Sequence, residues 1–320
     1  MPARALITGA TGFVGSHIAE AFVGAGYEVR CGVRKSSDTR WLEDLAVDLV
    51  PADLDRVGDL ARAVEGVDII VHAAGLTRAG RAGDYHRVNV GGTRRLATAA
   101  LEAEVRRFVL LSSLAARGPD APTKNGRDHP VSPYGWSKLE AEECLAAFGE
   151  RMETVVLRPA AVYGPRDTDL LPLFKMAQSG WLIVPADSGL LQPVYVTEVA
   201  LAVLAAASRP AGFGPFPVAE SARYSWREVT VCLEDALGCA IHTVRLPATA
   251  FELAGRAAEW AVKSLGSAPI FDKRRAQDLA VYSWTCDPSG TEDALGWRAA
   301  VPLSEGLGRT AKWYREAGWL

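Results

Sequence analysis

The feature that most constrains this chain is a glycine-rich turn close to its first residue. The glycines are spaced as Gly9-x-x-Gly12-x-x-Gly15, between the apolar residues 5–7 and residues 16–23, whose apolar positions recur at helical spacing. Glycines let the backbone turn tightly and approach phosphates, and unpaired N–H groups at a helix start face the negative charge. The order of strand, glycine turn and helix therefore predicts a dinucleotide site. Taken alone the spacing is a weak signal, because such turns are common.

Length and composition limit the classes to which the chain can belong. Its 320 residues, 49% hydrophobic and 23% charged, are typical of a globular protein with one large domain and a smaller lobe. The net charge of −3 gives no reason to expect nucleic acid or an anionic membrane as a partner. Neither a signal-peptide pattern nor an apolar run of membrane-spanning length is present. The five cysteines show no C-x-x-C pair and the five histidines no metal-ligand spacing, so we expect a cytoplasmic protein with reduced thiols and no metal.

Short apolar runs alternate with helical patterns through the first half of the chain. Strands are predicted at residues 27–33, 47–50, 67–72, 107–111 and 154–157, and helices at 85–101, 134–148 and 197–207. This alternation predicts an α/β fold, a Rossmann-type doubly wound parallel sheet with a smaller C-terminal α/β substrate cap. We expect residues 1–165, with about 190–212, to form the dinucleotide-binding domain, and residues 166–189 and 213–320 to form the cap.

Two further features point to chemistry at the edge of the sheet. Tyr134 and Lys138 lie one turn apart on one face of a predicted helix. A tyrosine, with its ordinary pKa of about 10, becomes a useful acid–base group only when a cation stabilises its phenolate. Ser112 and Ser113 follow the strand 107–111, at the edge where open α/β sheets bind ligands. Each feature alone arises by chance in many proteins, but together with the glycine turn they indicate a catalytic site.

These residues resemble the short-chain dehydrogenase/reductase superfamily, in particular its extended, NAD-dependent epimerase/dehydratase-like branch. The branch has the loop T-G-x-x-G-F-x-G, and this chain has Thr8-Gly9-Ala10-Thr11-Gly12-Phe13-Val14-Gly15. Further matches extend over nearly the whole chain: Asp53-Leu54, His72-Ala73-Ala74-Gly75, Asn89-Val90-Gly91-Gly92-Thr93, the R-P-x-x-V-Y-G-P signature at 158–165, V-x-V-x-D-V at 194–199 with Glu198 for aspartate, and a closing L-G-W at 295–297. Among subgroups, the chain is most similar to the 3β-hydroxysteroid dehydrogenase-like and dihydroflavonol reductase-like ketoreductases.

The resemblance implies roles for individual residues. Tyr134 would be the acid/base, Lys138 would lower the pKa of Tyr134 and bind the nicotinamide ribose, and Ser113, rather than Ser112, would orient the reacting oxygen. His72 is expected to pack, and Asn89 either to brace the site or to cap locally. The cofactor would contact Gly9, Thr11, Gly12, Phe13, Val14, Gly15, Asp53, Leu54, Ala73, Ala74, Gly75, Asn89, Tyr134, Lys138, Pro159 and Val162. Helices 85–101 and 134–148 would pair in a homodimer, or else pack inside the subunit.

The residues after the second predicted strand bear on the choice of cofactor. NAD users of this fold carry a carboxylate there, which accepts the ribose hydroxyls and would repel a 2′-phosphate. Here the position is occupied by Arg34 and Lys35, and the next acid is Asp38. Arg34 can form a paired contact with a phosphate, and Lys35 adds a point charge. We therefore expect NADP(H) to be preferred, with NAD(H) as the alternative cofactor; a solvated basic loop is the alternative interpretation.

The function that we expect is reversible hydride transfer between NADP(H) and a small-molecule ketone or aldehyde, or the corresponding secondary alcohol. Apolar residues of the predicted cap, at 170–174, 181–184, 190–191 and 251–271, indicate an apolar substrate that is steroid-like, polyketide, aromatic or long-chain, although most of them would also serve as core. One alternative is a nucleotide-sugar epimerase or dehydratase with tightly bound NAD(P), but residues 189–193 lack the arginine that such enzymes usually carry there. Another is a non-catalytic dinucleotide sensor, a class that commonly lacks the tyrosine or the lysine.

Overall fold

The computed structural model describes residues 2–120, 128–186, 189–247, 250 and 283–320. The strands in these ranges are β1 (Arg4–Thr8), β2 (Glu28–Val33), β3 (Val47–Pro51), β4 (Ile69–His72), β5 (Arg107–Leu111), β6 (Glu153–Pro159), β7 (Val162–Tyr163), β8 (Trp181–Pro185), β9 (Val194–Tyr195), β10 (Phe216–Val218) and β11 (His242–Leu246). The α-helices are α1 (Phe13–Gly24), α2 (Val57–Val64), α3 (Ala82–Tyr85), α4 (Gly91–Glu102), α5 (Pro133–Ala146), α6 (Leu171–Gln178), α7 (Val196–Ser208), α8 (Trp226–Leu237), α9 (Ser289–Leu295) and α10 (Leu303–Glu316). No helix of these ranges is long and apolar enough to cross a membrane.

The centre of the molecule is a seven-stranded sheet in the order β10-β6-β5-β4-β1-β2-β3. Its neighbouring strands all run parallel. The chain moves outward from β1 to β3 and then crosses back to β4, so the strand order reverses between β1 and β4. In open parallel sheets, ligands bind in the crevice outside the carboxyl ends of the strands at such a reversal. The predicted Rossmann-type sheet is confirmed.

Helices cover both faces of this sheet because successive strand residues point to opposite sides. Leu6 packs in a core under α2, α4 and α5, whereas its neighbour Ile7 packs in a second core under α1 and α7. All residues of β4 and β5 are buried. Their continuous apolar runs fit central strands of a parallel sheet that is covered on both faces.

A smaller lobe contains the parallel pair β8 and β11 with helices α6, α8 and α10. Phe174 and Leu182, both predicted to shape the cap, are fully buried in the core of this lobe. On the other face of β8, Trp181 and Ile183 are 54% and 39% exposed. The apolar residues predicted at 251–271 lie outside the described residues.

Some residues from the range predicted for the cap pack with the central sheet. Residues 213–320 were expected to belong to the cap, but Phe216–Val218 add to the central sheet beside β6. Leu295 and Trp297, after α9, pack into the core under α1 and α7. A lone strand next to a Pro/Gly-rich stretch gives no periodicity to show which sheet it joins, so only hydrogen bonding in three dimensions decides it.

Candidate active site

The glycine turn lies at the carboxyl end of β1 and is packed tightly on both sides. Gly9 has a φ of +75°, in the left-handed region that favours glycine, and its carbonyl oxygen accepts a hydrogen bond from the Gly12 N–H at 3.0 Å. A Cβ on Gly9 would lie 2.6 Å from the Ala74 nitrogen, and a Cβ on Gly15 would lie 2.0 Å from the Gly9 oxygen. Neither position has room for a side chain, because the turn packs closely against the backbone at Ala74 and against the start of α1.

Among the described residues, no side chain caps the N-terminus of α1, which lies at the crevice. Its N-cap, Gly12, provides no side-chain hydrogen bond, and no acidic residue lies in the first turn. Thr11, Phe13 and Val14 are only half-buried around it. The first N–H groups of a helix have no intrahelical acceptor and carry a partial positive charge. The glycine cradle and this helix end together fit the pyrophosphate of a dinucleotide, which the predicted residues Gly9 to Gly15 would hold.

Arg34 and Lys35 follow β2 on the same edge of the sheet. Both side chains are exposed, and the backbone folds into a turn in which the Arg34 N–H donates to Ser37 Oγ at 3.0 Å. The nearby carboxylate of Asp38 is paired with Arg40, whose Nε donates to it at 2.7 Å. In the described part of the chain neither Arg34 nor Lys35 has an ion-pair partner. Two cations without a competing carboxylate fit a phosphate group on the adenosine ribose.

Asp53 and Leu54 follow β3, beside the start of α4. Asp53 Oδ1 accepts the Asp55 N–H at 3.0 Å, and the Leu54 carbonyl accepts from Arg95 Nε at 2.6 Å. The Leu54 side chain packs closely on Gly92, where a Cβ would lie 2.8 Å from Leu54 Cδ1. These contacts hold the two residues at the crevice edge, where an adenine contact was predicted.

His72, at the end of β4, links the first and fourth strands to α4. Its Nδ1 lies 2.7 Å from Thr8 Oγ1 and its Nε2 lies 3.1 Å from Thr93 Oγ1. Burial, with a smaller contribution from the Lys138 charge, lowers the pKa of His72 to about 3. The neutral ring therefore bridges two hydroxyls, a role beyond the packing that we expected. Thr8 also accepts the Ala73 N–H at its carbonyl, so the bridge positions the segment that starts with Ala73 and Ala74.

Asn89 braces the segment after β4 rather than only capping its own helix. It lies in a single π-helical turn, His86–Val90, which interrupts the helix predicted at 85–101. Its Oδ1 accepts the Leu76 N–H at 2.7 Å, and its Nδ2 donates to the Leu76 carbonyl at 3.0 Å and to Ser137 Oγ at 2.9 Å. Gly75 passes close to this amide, since a Cβ there would lie 3.0 Å from Asn89 Oδ1. Asn89 thus joins the segment after β4 to α5.

The predicted Tyr134 and Lys138 lie on the first turns of α5. The helix starts where predicted, with Pro133 at its first position and Ser132 Oγ accepting the Gly135 N–H at 3.1 Å. Lys138 is only 7% exposed, and its Nζ donates to the Leu111 carbonyl at 2.6 Å. Burial lowers the pKa of Lys138 to about 8, while the Glu142 carboxylate opposes this shift. Tyr134 is half-buried, with its ring 6.1 Å from that of Tyr85.

The two serines after β5 point in different directions. Ser112 is 5% exposed, and its hydroxyl donates to the buried Glu142. Ser113 is half-buried, and its Oγ accepts the Ala115 N–H at 3.1 Å at the start of a short 3₁₀ turn. Ser112 is therefore committed to the interior, and Ser113 is the serine that remains at the crevice edge. This geometry favours the predicted choice of Ser113.

Pro159 and Val162 complete the predicted set at the end of β6. The Ala160 N–H donates to the Val218 carbonyl at 3.0 Å, and the Val194 N–H donates to the Ala161 carbonyl at 2.9 Å. These bonds join the end of β6 to β10 on one side and to β9 on the other. Pro159 and Val162 therefore lie at the same edge as Ser113, where the two lobes meet.

A small apolar cluster begins at the residue directly after Ser113. Leu114, Ala219 and Cys286 form a buried cluster, and Ala160 and Trp284 pack partly buried against it. The segment that carries Trp284 is held by Asp120, which accepts the Thr285 N–H at 3.1 Å. We call these five residues, Leu114, Ala160, Ala219, Trp284 and Cys286, the edge cluster.

Gln192 lies in the segment 189–193, for which the resemblance predicts an arginine in nucleotide-sugar enzymes. It is 2% exposed, and its Nε2 donates to the Glu220 carbonyl at 2.5 Å. Its Oε1 accepts the Cys286 N–H at 2.7 Å. Both ends of the amide are therefore used to join backbone segments within the protein.

Sequence reasoning did not identify two charged residues behind the predicted site. Glu142 and Arg158 are 3% and 4% exposed and form an ion pair with an N–O distance of 2.5 Å. A signal was present, because Glu142 follows Lys138 by one helical turn and Arg158 interrupts an apolar strand. Charged residues are rarely buried without a partner. Such positions therefore indicate a buried pair, but not which residues form it.

Comparisons with known proteins agree with this arrangement. The model of the NAD dependent epimerase/dehydratase family matches residues 5–216. Ceramide reductase from Caulobacter vibrioides is 33% identical over 318 residues, which cover 98% of this chain and 95% of that protein. UDP-glucose 4-epimerase from Vibrio cholerae is 27% identical over 340 residues, which cover 99% of this chain and 97% of that protein. The crystal structure of gox2253 has the same fold, with a TM-score of 0.80, 24% identity and 99% of both chains covered.

The family model spans well over half of the chain, and the similarity to the Caulobacter relative extends over nearly all of it. The predicted membership of the extended short-chain dehydrogenase/reductase branch is thereby confirmed, and with it the prediction of an NAD(P)-dependent oxidoreductase. The chain belongs to the NAD dependent epimerase/dehydratase family.

Proposed function

We propose that this protein is an NADP(H)-dependent carbonyl reductase that acts on an apolar ketone or aldehyde and, in reverse, on the secondary alcohol. The observation that carries the proposal is the edge cluster next to Ser113. Binding pockets are lined mainly by apolar side chains with a few placed polar groups, and this edge combines one half-buried hydroxyl with alanine, leucine and tryptophan side chains. Such a lining suits a substrate with little polar surface.

Three side chains of the protein would take part in the reduction step. Tyr134 donates the proton to the carbonyl oxygen during reduction, and Ser113 orients that oxygen by a hydrogen bond. Lys138 stabilises the tyrosine phenolate. Its buried ammonium is well placed for this role, because it donates a hydrogen bond to the Leu111 carbonyl at 2.6 Å. The bound dinucleotide would supply the hydride. Its pyrophosphate would be held by the glycine turn and the N-terminus of α1.

The preference for NADP(H) rests on the edge beside β2. Arg34 and Lys35 are exposed there, and the carboxylate of Asp38 is paired with Arg40. A guanidinium can bind a phosphate through two parallel hydrogen bonds, which gives geometry as well as charge. The family is described as NAD dependent. The preference for NADP(H), which carries the 2′-phosphate, is therefore a proposal about this chain alone.

A long-chain lipid ketone fits the proposed class. The Caulobacter relative is named ceramide reductase, and a ceramide is a long-chain lipid. The rival function is nucleotide-sugar epimerisation, since the Vibrio relative is a UDP-glucose 4-epimerase. Against it, Gln192 is neutral and both ends of its amide are bonded to backbone, so it offers no cation to a diphosphate. A non-catalytic sensor is disfavoured because Tyr134 and Lys138 are both present on α5.

The experiment that tests the proposal follows NADPH oxidation with straight-chain 2-ketones of increasing length. Each methylene transferred from water to an apolar pocket contributes about 0.8 kcal/mol, so kcat/KM should rise about fourfold per methylene until the pocket is full. Trp284→Ala should reduce this rise, because it removes the largest side chain of the edge cluster. Trp181→Ala is the matched control, since Trp181 is 54% exposed on the outer face of β8, and should leave the series unchanged.

Two results would overturn the proposal. One is a kcat/KM that stays flat or falls along the series in the wild-type protein. The other is calorimetric binding of UDP-glucose together with a cofactor that remains bound through gel filtration, which would establish the epimerase alternative.

We also propose that the protein forms a homodimer through α4 and α5. These helices bury Leu96 and Ala141 in the subunit core but leave Trp136, on α5, 48% exposed. A partner helix would cover such a tryptophan. Light scattering that gives the mass of one chain at assay concentrations would reject the dimer.

A further inference from the structure

Behind the candidate catalytic residues lies a charged pair that the proposed chemistry does not use. Arg158 Nε donates to the two oxygens of Glu142 at 3.0 and 3.1 Å, and Arg158 Nη2 donates to Glu142 Oε2 at 2.5 Å. On its outer side, Arg158 makes two parallel hydrogen bonds to Asp128, at 3.1 and 2.6 Å. The Asp128 side chain is 32% exposed, so the charges run from the interior to the surface.

This pair joins the elements that carry the candidate catalytic groups. Glu142 lies on α5, one turn after Lys138, and also accepts the hydroxyl of Ser112 at the end of β5. Arg158 lies in β6, directly before Pro159. A movement of α5 relative to β5 or β6 would therefore break hydrogen bonds to the buried Glu142 carboxylate.

The pair also balances the charge of the buried lysine. In the described part of the chain, the charged and titratable neighbours of Lys138 are Tyr134 and Glu142 on α5, His72 on β4 and, behind Glu142, Arg158 on β6. His72 is neutral, since burial lowers its pKa to about 3. The negative charges of Glu142 and Asp128 offset the positive charges of Lys138 and Arg158. Without Glu142, two cations would face each other in the interior.

Stability alone is a weak reason for such a pair. Replacing a buried ion pair with apolar residues of similar volume is often neutral or stabilising. Apolar residues at these two positions could supply neither the directional hydrogen bonds nor the negative charge of the Glu142–Arg158 pair.

We propose that Glu142, held by Arg158, is a positioning residue of this site: it fixes α5 against the serine-bearing end of β5 and places one negative charge next to the Lys138 ammonium. This inference rests on the proposed function for its consequence on turnover. Its direct consequence is that the Glu142 carboxylate raises the pKa of Lys138 and so favours the ammonium form at neutral pH.

The test compares Glu142→Gln with Glu143→Gln, the matched control at the next, exposed position of α5. Lysine labelled with ¹³C at Cε is titrated by NMR, and the Lys138 signal is identified by its loss in Lys138→Met. We expect the pKa of Lys138 to fall by about one unit or more in Glu142→Gln, because a unit charge about one helical turn away is removed from a poorly solvated site. Glu143→Gln should leave it unchanged.

Turnover provides the second measurement. The ammonium of Lys138 is needed to stabilise the Tyr134 phenolate, so a lower lysine pKa means that the ammonium is lost at a lower pH. The alkaline limb of the pH profile of kcat should therefore move to lower pH in Glu142→Gln by the shift that NMR measures. At a pH where Lys138 is protonated in both proteins, the KM for NADPH should stay within about twofold, because the glycine turn, Arg34 and the lysine ammonium are then all unchanged.

A second variant keeps the proposal falsifiable if Glu142→Gln does not fold. Asp128→Asn removes the partly exposed carboxylate, leaves Arg158 less neutralised, and should lower the pKa of Lys138 by a smaller amount. If the pKa of Lys138 is the same in the wild type and in every folded variant of Glu142 and Asp128, the proposal is wrong. A shifted lysine pKa in a protein that reduces no carbonyl would instead leave the positioning role standing and reject the proposed function.

Discussion

Adding one methyl group to Gly15 should separate the glycine turn from α1. A Cβ on Gly15 would lie 2.0 Å from the Gly9 oxygen and 2.6 Å from the Gly9 carbonyl carbon. Ordinary contact begins near 3.4 Å, so the two segments would have to part by about 1.4 Å. Gly9 has little room to move, because the backbone next to it is so close that a Cβ on Gly9 would lie 2.6 Å from the Ala74 nitrogen. The start of α1 must therefore move, and its N–H groups move with it.

The displacement has a cost in stability and a cost in cofactor affinity. Forcing extra volume into a well-packed site typically costs about 1–3 kcal/mol, which we expect as the loss in free energy of unfolding for Gly15→Ala. Each lost hydrogen bond to a charged group costs about 1.5–3 kcal/mol, so losing one N–H to pyrophosphate contact should raise the Kd for NADPH by about 10- to 100-fold. Urea unfolding of the protein without cofactor and calorimetric titration with NADPH measure the two effects separately.

Gly24→Ala is the matched control at the other end of the same helix. A Cβ on Gly24 meets nothing within 4 Å, and alanine is a better helix former than glycine. We expect stability to be unchanged or to rise by up to about 1 kcal/mol, with the same Kd as the wild type. If Gly15→Ala matched the wild type in both measurements, the close approach of turn and helix would have no part in cofactor binding, and the reasoning would be refuted.

Three other substitutions test separate parts of the site. Tyr134→Phe should lower kcat for ketone reduction by about 10²- to 10⁴-fold with little change in the Kd for NADPH, and near-normal turnover would contradict its role as the acid. Arg34→Ala should raise the Kd for NADPH about tenfold and leave that for NADH nearly unchanged, whereas Arg62→Ala, which breaks an exposed pair with Asp59, should alter neither. His72 has its pKa lowered to about 3 in the folded protein, against about 6.5 in the unfolded chain, so stability that is present above about pH 6.5 is lost as the pH falls toward 3. The stability difference between wild type and His72→Gln in urea should therefore shrink between about pH 7 and pH 5; a constant difference would show that folding does not lower the pKa of His72.

Short-range patterns in the sequence predicted the sheet and many of the residues that we propose to face a ligand. Strand, turn and helix follow one another within residues 4–24, so the glycine spacing in that local context indicates a phosphate cradle. Tyr134 and Lys138 are related by one helical turn, a distance that the helix itself sets. The basic pair after β2 could likewise be located from the order of the strands. For the glycine turn and the Tyr134–Lys138 pair, the geometry follows from backbone periodicity over a few residues.

Tertiary structure alone decided which distant residues meet. The Glu142–Arg158 pair, the bridge from Thr8 through His72 to Thr93, and the two backbone contacts of Gln192 join residues that are 16 to 94 positions apart. It also assigned Phe216–Val218 to the central sheet, and Ser112 to the interior rather than the crevice. Buried polar groups must find hydrogen-bond partners because leaving them unpaired is costly, but the sequence does not specify which partners the fold will bring within reach.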